Sequence, residues 1–192
     1  MGDTGTDLTE PALTISSVQN VLEAWAFNSS YNEEGQFIWW CDMARADIEK
    51  IKKEFTPEQN LRAFVWYTHA VMFDENAQKN GICFVYNVNK LGMVESFTLM
   101  PAKLSTKIDR LTIGVLPVRM KGMYMWEIPA WVNIFFALIG VFMSKKMKKR
   151  IILSKNWSDL EKMFGLEAIP KNFGKVEGKL ETDVIQKKYF SV

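Results

Sequence analysis

Residues 81–88 read "GICFVYNV", a glycine followed by a run that is apolar on both alternating faces. A strand covered by layers on both sides has this pattern, whereas a strand with one wet face alternates apolar and polar. Immediately before it, "FTPEQNLRAFVWYTHAVMFDENAQKNG" (55–81) has Thr56 as a natural N-cap, Pro57 at the first helical position and Gly81 as a stop. This predicts one helix whose apolar face carries Leu61, Phe64, Val65, Thr68, Val71 and Met72. After it, residues 97–116 have helical spacing through Leu104, Ile108, Leu111 and Val115. The segment "PVRMKGMYMWEIP" (117–129) then alternates Met123 and Met125 with Tyr124 and Trp126, a second strand apolar on both faces. Helices alternating with such strands predict an α/β fold with a parallel sheet.

The same reading extends outward. "FIWWC" (37–41) is an aromatic strand, and the polar "NSSYNEEGQ" (28–36) before it reads as a turn. Leu13 to Ala26 is helical, with Ile15, Val18, Val21, Leu22 and Trp25 on one side. Toward the C-terminus, "IPAWVNIFFALIGVFMSKKMKKR" (128–150) is an apolar helix ending in a basic cluster, and "RIIL" (150–153) is a short interior strand. The expected fold class is therefore an α/β three-layer sandwich with a mainly parallel sheet. Residues 1–12 are a flexible N-terminus, 13–175 one domain and 176–192 a charged tail, in which Val184, Ile185, Tyr189 and Phe190 could dock.

The apolar run resembles a membrane anchor but is too short. Ala130 to Met143 gives about 21 Å of helix at about 1.5 Å per residue, against a hydrocarbon core of about 30 Å. Glu127 and Asn133 oppose extension. The 24 basic and 22 acidic residues leave a net charge of +2, which predicts no general attraction to nucleic acid, so any basic function is local. "MGDTGTDLTEP" lacks the apolar core of a signal peptide. The only two cysteines, Cys41 and Cys83, have no partners at metal-ligand spacing and suit a reducing compartment.

Catalytic constellations are missing from the sequence. His69, the single histidine, falls mid-helix with no nucleophile to serve, and no glycine-rich phosphate loop follows a strand. A non-enzymatic protein without metal or cofactor is expected. In excess instead are soft apolar side chains, 11 Met, 13 Phe and 7 Trp, which suit either core filling or a pocket for a flexible apolar ligand.

In order and spacing, "EEGQFIWW", "FTPEQNLRAF", "AQKNGICFVYNV", "VRMKGMYMWEIP", the apolar helix with "SKKMKKRIIL", and "LEAIPKNFG" resemble the CRAL-TRIO lipid-binding domain of the tocopherol, retinaldehyde and phosphatidylinositol transfer proteins. The resemblance covers about residues 13–175. The usual preceding helical domain is not in this sequence, and the family's closing Gly-Gly appears as Gly174 and Lys175.

The resemblance implies a mixed sheet lining a deep apolar cavity, closed by a movable helical lid. The lid falls on the opening of the 128–150 run, where Trp131, Ile134, Phe135, Leu138, Ile139 and Phe142 form one helical stripe facing the cavity, while Val132, Phe136 and Val141 keep the other side apolar. Exposing about 500 Å² of that stripe to water would cost about 12 kcal/mol at about 25 cal/mol per Å², a cost a bilayer would largely remove. For the cavity wall the resemblance points to Leu61, Phe64, Thr68, Ile82, Phe84, Tyr86, Leu111, Leu116, Val118, Met120 and Met123. Phe64 and Thr68 stand where tocopherol-type pockets carry small hydroxyl residues, so Phe64 would fill space there. Arg119, Lys121, Lys146 and Arg150 match positions that hold phosphoinositide phosphates in the tocopherol-transfer branch, with Lys149 adjacent.

The function so implied is a cytosolic, peripherally membrane-associated carrier. It binds one hydrophobic lipid and transfers it to or between phosphoinositide-containing membranes. The alternatives are a phosphoinositide-directed adaptor holding a structural lipid and a short membrane-anchored protein.

Overall fold

The computed structural model describes residues 14–89, 91–99, 117–139, 145–154, 156–174 and 184–189. The chain begins with helix α1 (Ile15–Trp25) and a hairpin of β1 (Phe27–Tyr31) and β2 (Phe37–Asp42). Three helices follow, α2 (Ile48–Glu54), α3 (Pro57–Met72) and α4 (Glu75–Asn80), then β3 (Ile82–Asn87) and α5 (Met93–Leu99). Strand β4 (Met120–Trp126) leads to α6 (Ala130–Ile139), the basic α7 (Lys145–Arg150) and β5 (Ile151–Ser154). The described chain closes with α8 (Trp157–Phe164), a 3₁₀ turn (Leu166–Ala168) and α9 (Val184–Tyr189).

The sheet order is β1-β2-β3-β4-β5, with β1 antiparallel to β2 and every other pair parallel. Parallel connections cross over with one hand, so a strand order that follows chain order puts every crossover on the same face. On this crossover face Phe37, Trp39, Cys41 and Ile82 pack with Val18, Leu22, Trp25, Ala63 and Tyr67 from α1 and α3. The opposite, closing face is sealed by α8 and the turn after it. There Ile38, Trp40, Cys83, Val85 and Trp126 pack with Leu160, Phe164, Ile169 and Phe173. The expected three layers and mainly parallel mixed sheet are thus present, and the four expected strands stand where their patterns put them.

Some local readings need correction. The polar 28–36 segment is not all turn, because Phe27–Tyr31 forms the edge strand β1, with Asn28 and Ser29 almost fully buried. Its hydroxyls are matched one by one: Ser30 Oγ donates to the Ala168 carbonyl and accepts from Trp40 Nε1, while Ser29 Oγ accepts the Ile185 N–H at 3.1 Å. The long 56–81 helix is two helices. Thr56 and Pro57 start α3 as expected, with a capping box between Thr56 and Gln59. At the other end Asp74 takes over as a new N-cap, accepting the Ala77 N–H at 2.8 Å and the Tyr31 hydroxyl. The buried side of α3 carries Asn60, Ala63, Tyr67, Thr68, Ala70 and Val71; Thr68 and Val71 belong to the expected stripe, whereas Leu61, Phe64, Val65 and Met72 are only half-buried. Asn60, on that buried side, accepts the buried Trp25 Nε1–H at 2.7 Å.

Of the predicted helix over 97–116 only residues 97–99 are described, as the end of α5, and residues 100–116 lie outside the described residues. Of the tail only α9 is described, and its Ile185 is fully buried in the crossover-face core while Val184 is half-buried.

Candidate functional site

Burial on the crossover face changes across the sheet. Phe27 and Ser29 of β1 and Phe37, Trp39 and Cys41 of β2 are buried there and only Tyr31 at the sheet edge is half-buried, whereas Phe84 and Tyr86 of β3, Met123 and Met125 of β4, and Ile151 and Leu153 of β5 are all half-buried. Register aligns them in two rows, Phe84–Met123–Ile151 and Tyr86–Met125–Leu153. Phe84 and Tyr86 stack, with ring planes 9° apart. This is an apolar floor of adaptable side chains. Met123 alone of the β4 and β5 members was expected; Met125, Ile151 and Leu153 follow only once the pairing register is known.

The wall residues divide. Phe84, Tyr86 and Met123 stand together on the floor, and Val118 and Met120 are half-buried at its edge against the core. Phe64 is half-buried on α3 and packs against the aromatic core, 5.2 Å from Trp25 and 4.9 Å from Phe27 between ring centroids. Ile82 is buried in the same core, and Leu61 is half-buried on α3. Thr68 is buried, and its hydroxyl donates to the Phe64 carbonyl at 2.7 Å, so the helix uses its polarity internally. Leu111 and Leu116 lie outside the described residues.

Helix α6 meets the same face. Val132 is 2% exposed and packs with Val88 and Ile128, with Tyr86, Met125, Trp131, Phe136 and Leu153 around them. The Trp131 indole N–H donates to the Leu91 carbonyl at 3.0 Å. The expected stripe is therefore split: Trp131 is half-buried, but Ile134 is 63% exposed and the docked side is that of Val132 and Phe136. The helix begins with Pro129 and a left-handed Glu127, which fix its rotation before the apolar pattern has a say. Phe135, Leu138 and Ile139 continue α6, and Phe142 lies outside the described residues. Among the described residues no helix is long and apolar enough to cross a membrane.

The basic residues gather at the opposite end of the sheet. A bulge between Ile82 and Cys83 leaves Lys121 as an extra residue in β4, beside Arg119. Because Met123 pairs with Ile151, Arg150 at the end of α7 is level with Gly122. Arg119, Lys121, Lys146 and Lys149 are exposed and Arg150 is half-buried. None of the five makes an ion pair among the described residues. Lys146 and Arg150 are one helical turn apart, as expected.

The closing face holds a recess of about 300 Å³ lined by Trp126, Trp157, Phe173 and Gly174, on the side away from the floor. His69 is exposed, and no cluster that could hold a metal exists among the described residues. Burial pushes the Cys83 thiol up to about 11, and Cys41 is raised further by burial and the adjacent Asp42, so neither is a ready nucleophile.

Residues 26–174 match the family model of the CRAL/TRIO domain. Clavesin-2 of Rattus norvegicus is 25% identical over 124 residues, 64% of this chain and 38% of that protein. Clavesin-1 of Rattus norvegicus is 26% identical over 130 residues, 67% of this chain and 36% of that protein. A tyrosine-protein phosphatase non-receptor type 9 of Mus musculus is 23% identical over 114 residues, 59% of this chain and 18% of that protein. The crystal structure of Sfh5 superposes with a TM-score of 0.61 at 11% identity, covering 96% of this chain and 64% of that one, a likeness of fold. The match thus spans well under half of each curated relative.

Proposed function

The chain belongs to the CRAL/TRIO domain family, and from that premise we propose that it binds a hydrophobic lipid between the β3–β5 half of its sheet and α6. Membership supports lipid binding and transfer in general. The observation that carries the reading for this chain is the unequal sealing of the crossover face: aromatic packing closes it over β2, while Phe84, Tyr86, Met123, Met125, Ile151 and Leu153 stay half-buried, with α6 packed over the Tyr86–Met125–Leu153 row. Helix α6 is the lid in this reading, and transfer needs no covalent step. A closed state is favoured in water because it hides the floor; at a bilayer the acyl region accepts that surface, so contact and opening are coupled. Ile134 is already exposed, so opening costs less than the stripe estimate of about 12 kcal/mol.

The finer reading is a non-enzymatic, cytosolic and peripherally membrane-associated carrier whose Arg119, Lys121, Lys146, Lys149 and Arg150 meet phosphoinositide phosphates. Their convergence on one end of the sheet without ion pairs among the described residues favours this, since Lys and Arg near an anionic surface contribute about 1 kcal/mol each. The same observation favours a second reading, an adaptor whose lipid is structural.

Mass spectrometry of an organic extract of the purified protein tests the carrier. One lipid class near stoichiometry is expected, and a protein free of lipid refutes it. Exchange of that lipid with vesicles separates carrier from adaptor. Flotation with phosphoinositide liposomes, comparing the parent with a variant carrying Arg119, Lys121, Lys146 and Arg150 all as Ala, tests the charges. Unchanged, salt-insensitive binding would remove the phosphoinositide site.

A further inference from the structure

The turn between β4 and α6 carries a strained residue on a buried polar line. Glu127 has φ +52°, a left-handed conformation that residues other than Gly and Asn enter only at a cost. Its half-buried carboxylate accepts a hydrogen bond from Asn89 Nδ2. The Asn89 N–H in turn donates to Asn87 Oδ1 at 3.0 Å, Asn87 Nδ2 donates to Asp42 Oδ1 at 2.7 Å, and Asp42 Oδ2 accepts the Gly174 N–H at 2.7 Å. These residues cross the C-terminal ends of β2, β3 and β4 in one line, from the closing turn on one face to the start of α6 on the other. Asp42 and Asn87 are 0% exposed, so the middle of the line is fixed by burial, and Glu127 is its outer end.

Among the described residues, the Trp131 indole on the Leu91 carbonyl and the buried Val132 against Val88 and Ile128 hold the first turn of α6, and half-buried Phe136 packs one turn further on. Two residues on from Val132, Ile134 is exposed. The helix is thus anchored at its N-terminal end. A strained backbone persists only where its surroundings over-determine it, and here Asn89 does so: without its bond Glu127 can leave the left-handed region and turn the helix axis away from the sheet.

We propose that Glu127 is the hinge of α6, a positioning residue whose hydrogen bond to Asn89 sets how often that helix leaves the sheet. This rests on the reading of α6 as a lid.

Hydrogen exchange of the amides of residues 130–139 in the full chain tests it, with Glu127→Ala, Asn89→Ala, their double variant and Glu127→Gln. Alanine keeps the strain and loses the acceptor, whereas glutamine keeps an acceptor. Loss of one charge-assisted hydrogen bond predicts about tenfold faster exchange over α6 in either alanine variant, no further gain in the double variant, near-parental exchange for Glu127→Gln, and unchanged protection in β2 and β3. Unchanged α6 exchange in both alanine variants overturns the hinge, as does Glu127→Gln behaving like Glu127→Ala, or protection falling equally in β2 and β3. Vesicle-to-vesicle lipid transfer is measured in parallel. If no variant, the parent included, transfers lipid, the carrier reading fails while the exchange data still decide the hinge.

Discussion

Replacing Gly174 by Ala tests how the closing turn is held. Gly174 has φ +75°, and a Cβ built there would lie 2.3 Å and 2.6 Å from Cζ3 and Cη2 of Trp126. Carbon atoms in contact sit about 3.5–4.0 Å apart, so ring or turn must move by more than about 1 Å. The ring has little freedom, being 7% exposed and packed edge-on against Trp157 at 4.9 Å. Overpacking of this kind costs about 1–3 kcal/mol and the left-handed conformation about 1–2 kcal/mol more. The total, about 3 kcal/mol, should lower the melting temperature by about 10 °C in a domain of this size. Gly165 provides the control. It has φ +78°, yet its added Cβ would meet nothing closer than Glu33 Oε1 at 3.8 Å. With ψ 148°, Gly165 lies in an extended positive-φ region almost reserved for Gly, so Gly165→Ala should show a backbone cost alone, about 1–3 kcal/mol. Urea unfolding gives both losses, and Trp fluorescence should change only in Gly174→Ala, whose added methyl meets Trp126. A Gly174→Ala protein with parental Trp fluorescence would refute the steric argument, and one as stable as the parent would refute both parts of it.

Asp42→Asn keeps one acceptor but sets an amide against the Gly174 N–H, and should cost about 2 kcal/mol in urea unfolding. Burial raises the Asp42 carboxyl above its ordinary value, against the lowering effect of the Gly174, Asn87 and Ala44 donors and Arg45. The folded chain therefore holds this proton more tightly than the unfolded chain: its contribution is full below about pH 4 and falls as pH rises through the folded value. Asp42→Asn should abolish that slope, and an identical pH profile would refute it. With the Cys83 thiol at about 11 and Cys41 buried, both should react with a thiol reagent at pH 8 far more slowly than in denaturant; rapid native labelling would count against the packing. Asn60→Ala strands the buried Trp25 indole N–H and should cost about 1–3 kcal/mol, read by urea unfolding; no loss would mean that another acceptor serves it.

Where local chemistry and side-chain period agree, the sequence by itself determined the result. Thr56 and Pro57 start α3, and the apolar runs at 37–42, 82–87, 120–126 and 151–154 are strands of a mainly parallel sheet. The family resemblance was legible in the same segments. Polar β1 was not, because Ser29 and Ser30 are matched by Ile185 and Ala168, more than a hundred residues away. Nor was the break at Asp74, whose cap is shared with Tyr31. For the candidate site, the family resemblance supplied Phe84, Tyr86, Met123 and the basic residues. Only tertiary structure decided that Met125, Ile151 and Leu153 complete the floor, that Phe64 packs edge-on against Trp25 and Phe27, and that α6 docks through Val132 with Ile134 outward. The physical reason is common to all of these. Period reports which side chains share a face of one element, whereas register, helix rotation and the partner of a buried polar group are set by contacts between elements far apart in the chain.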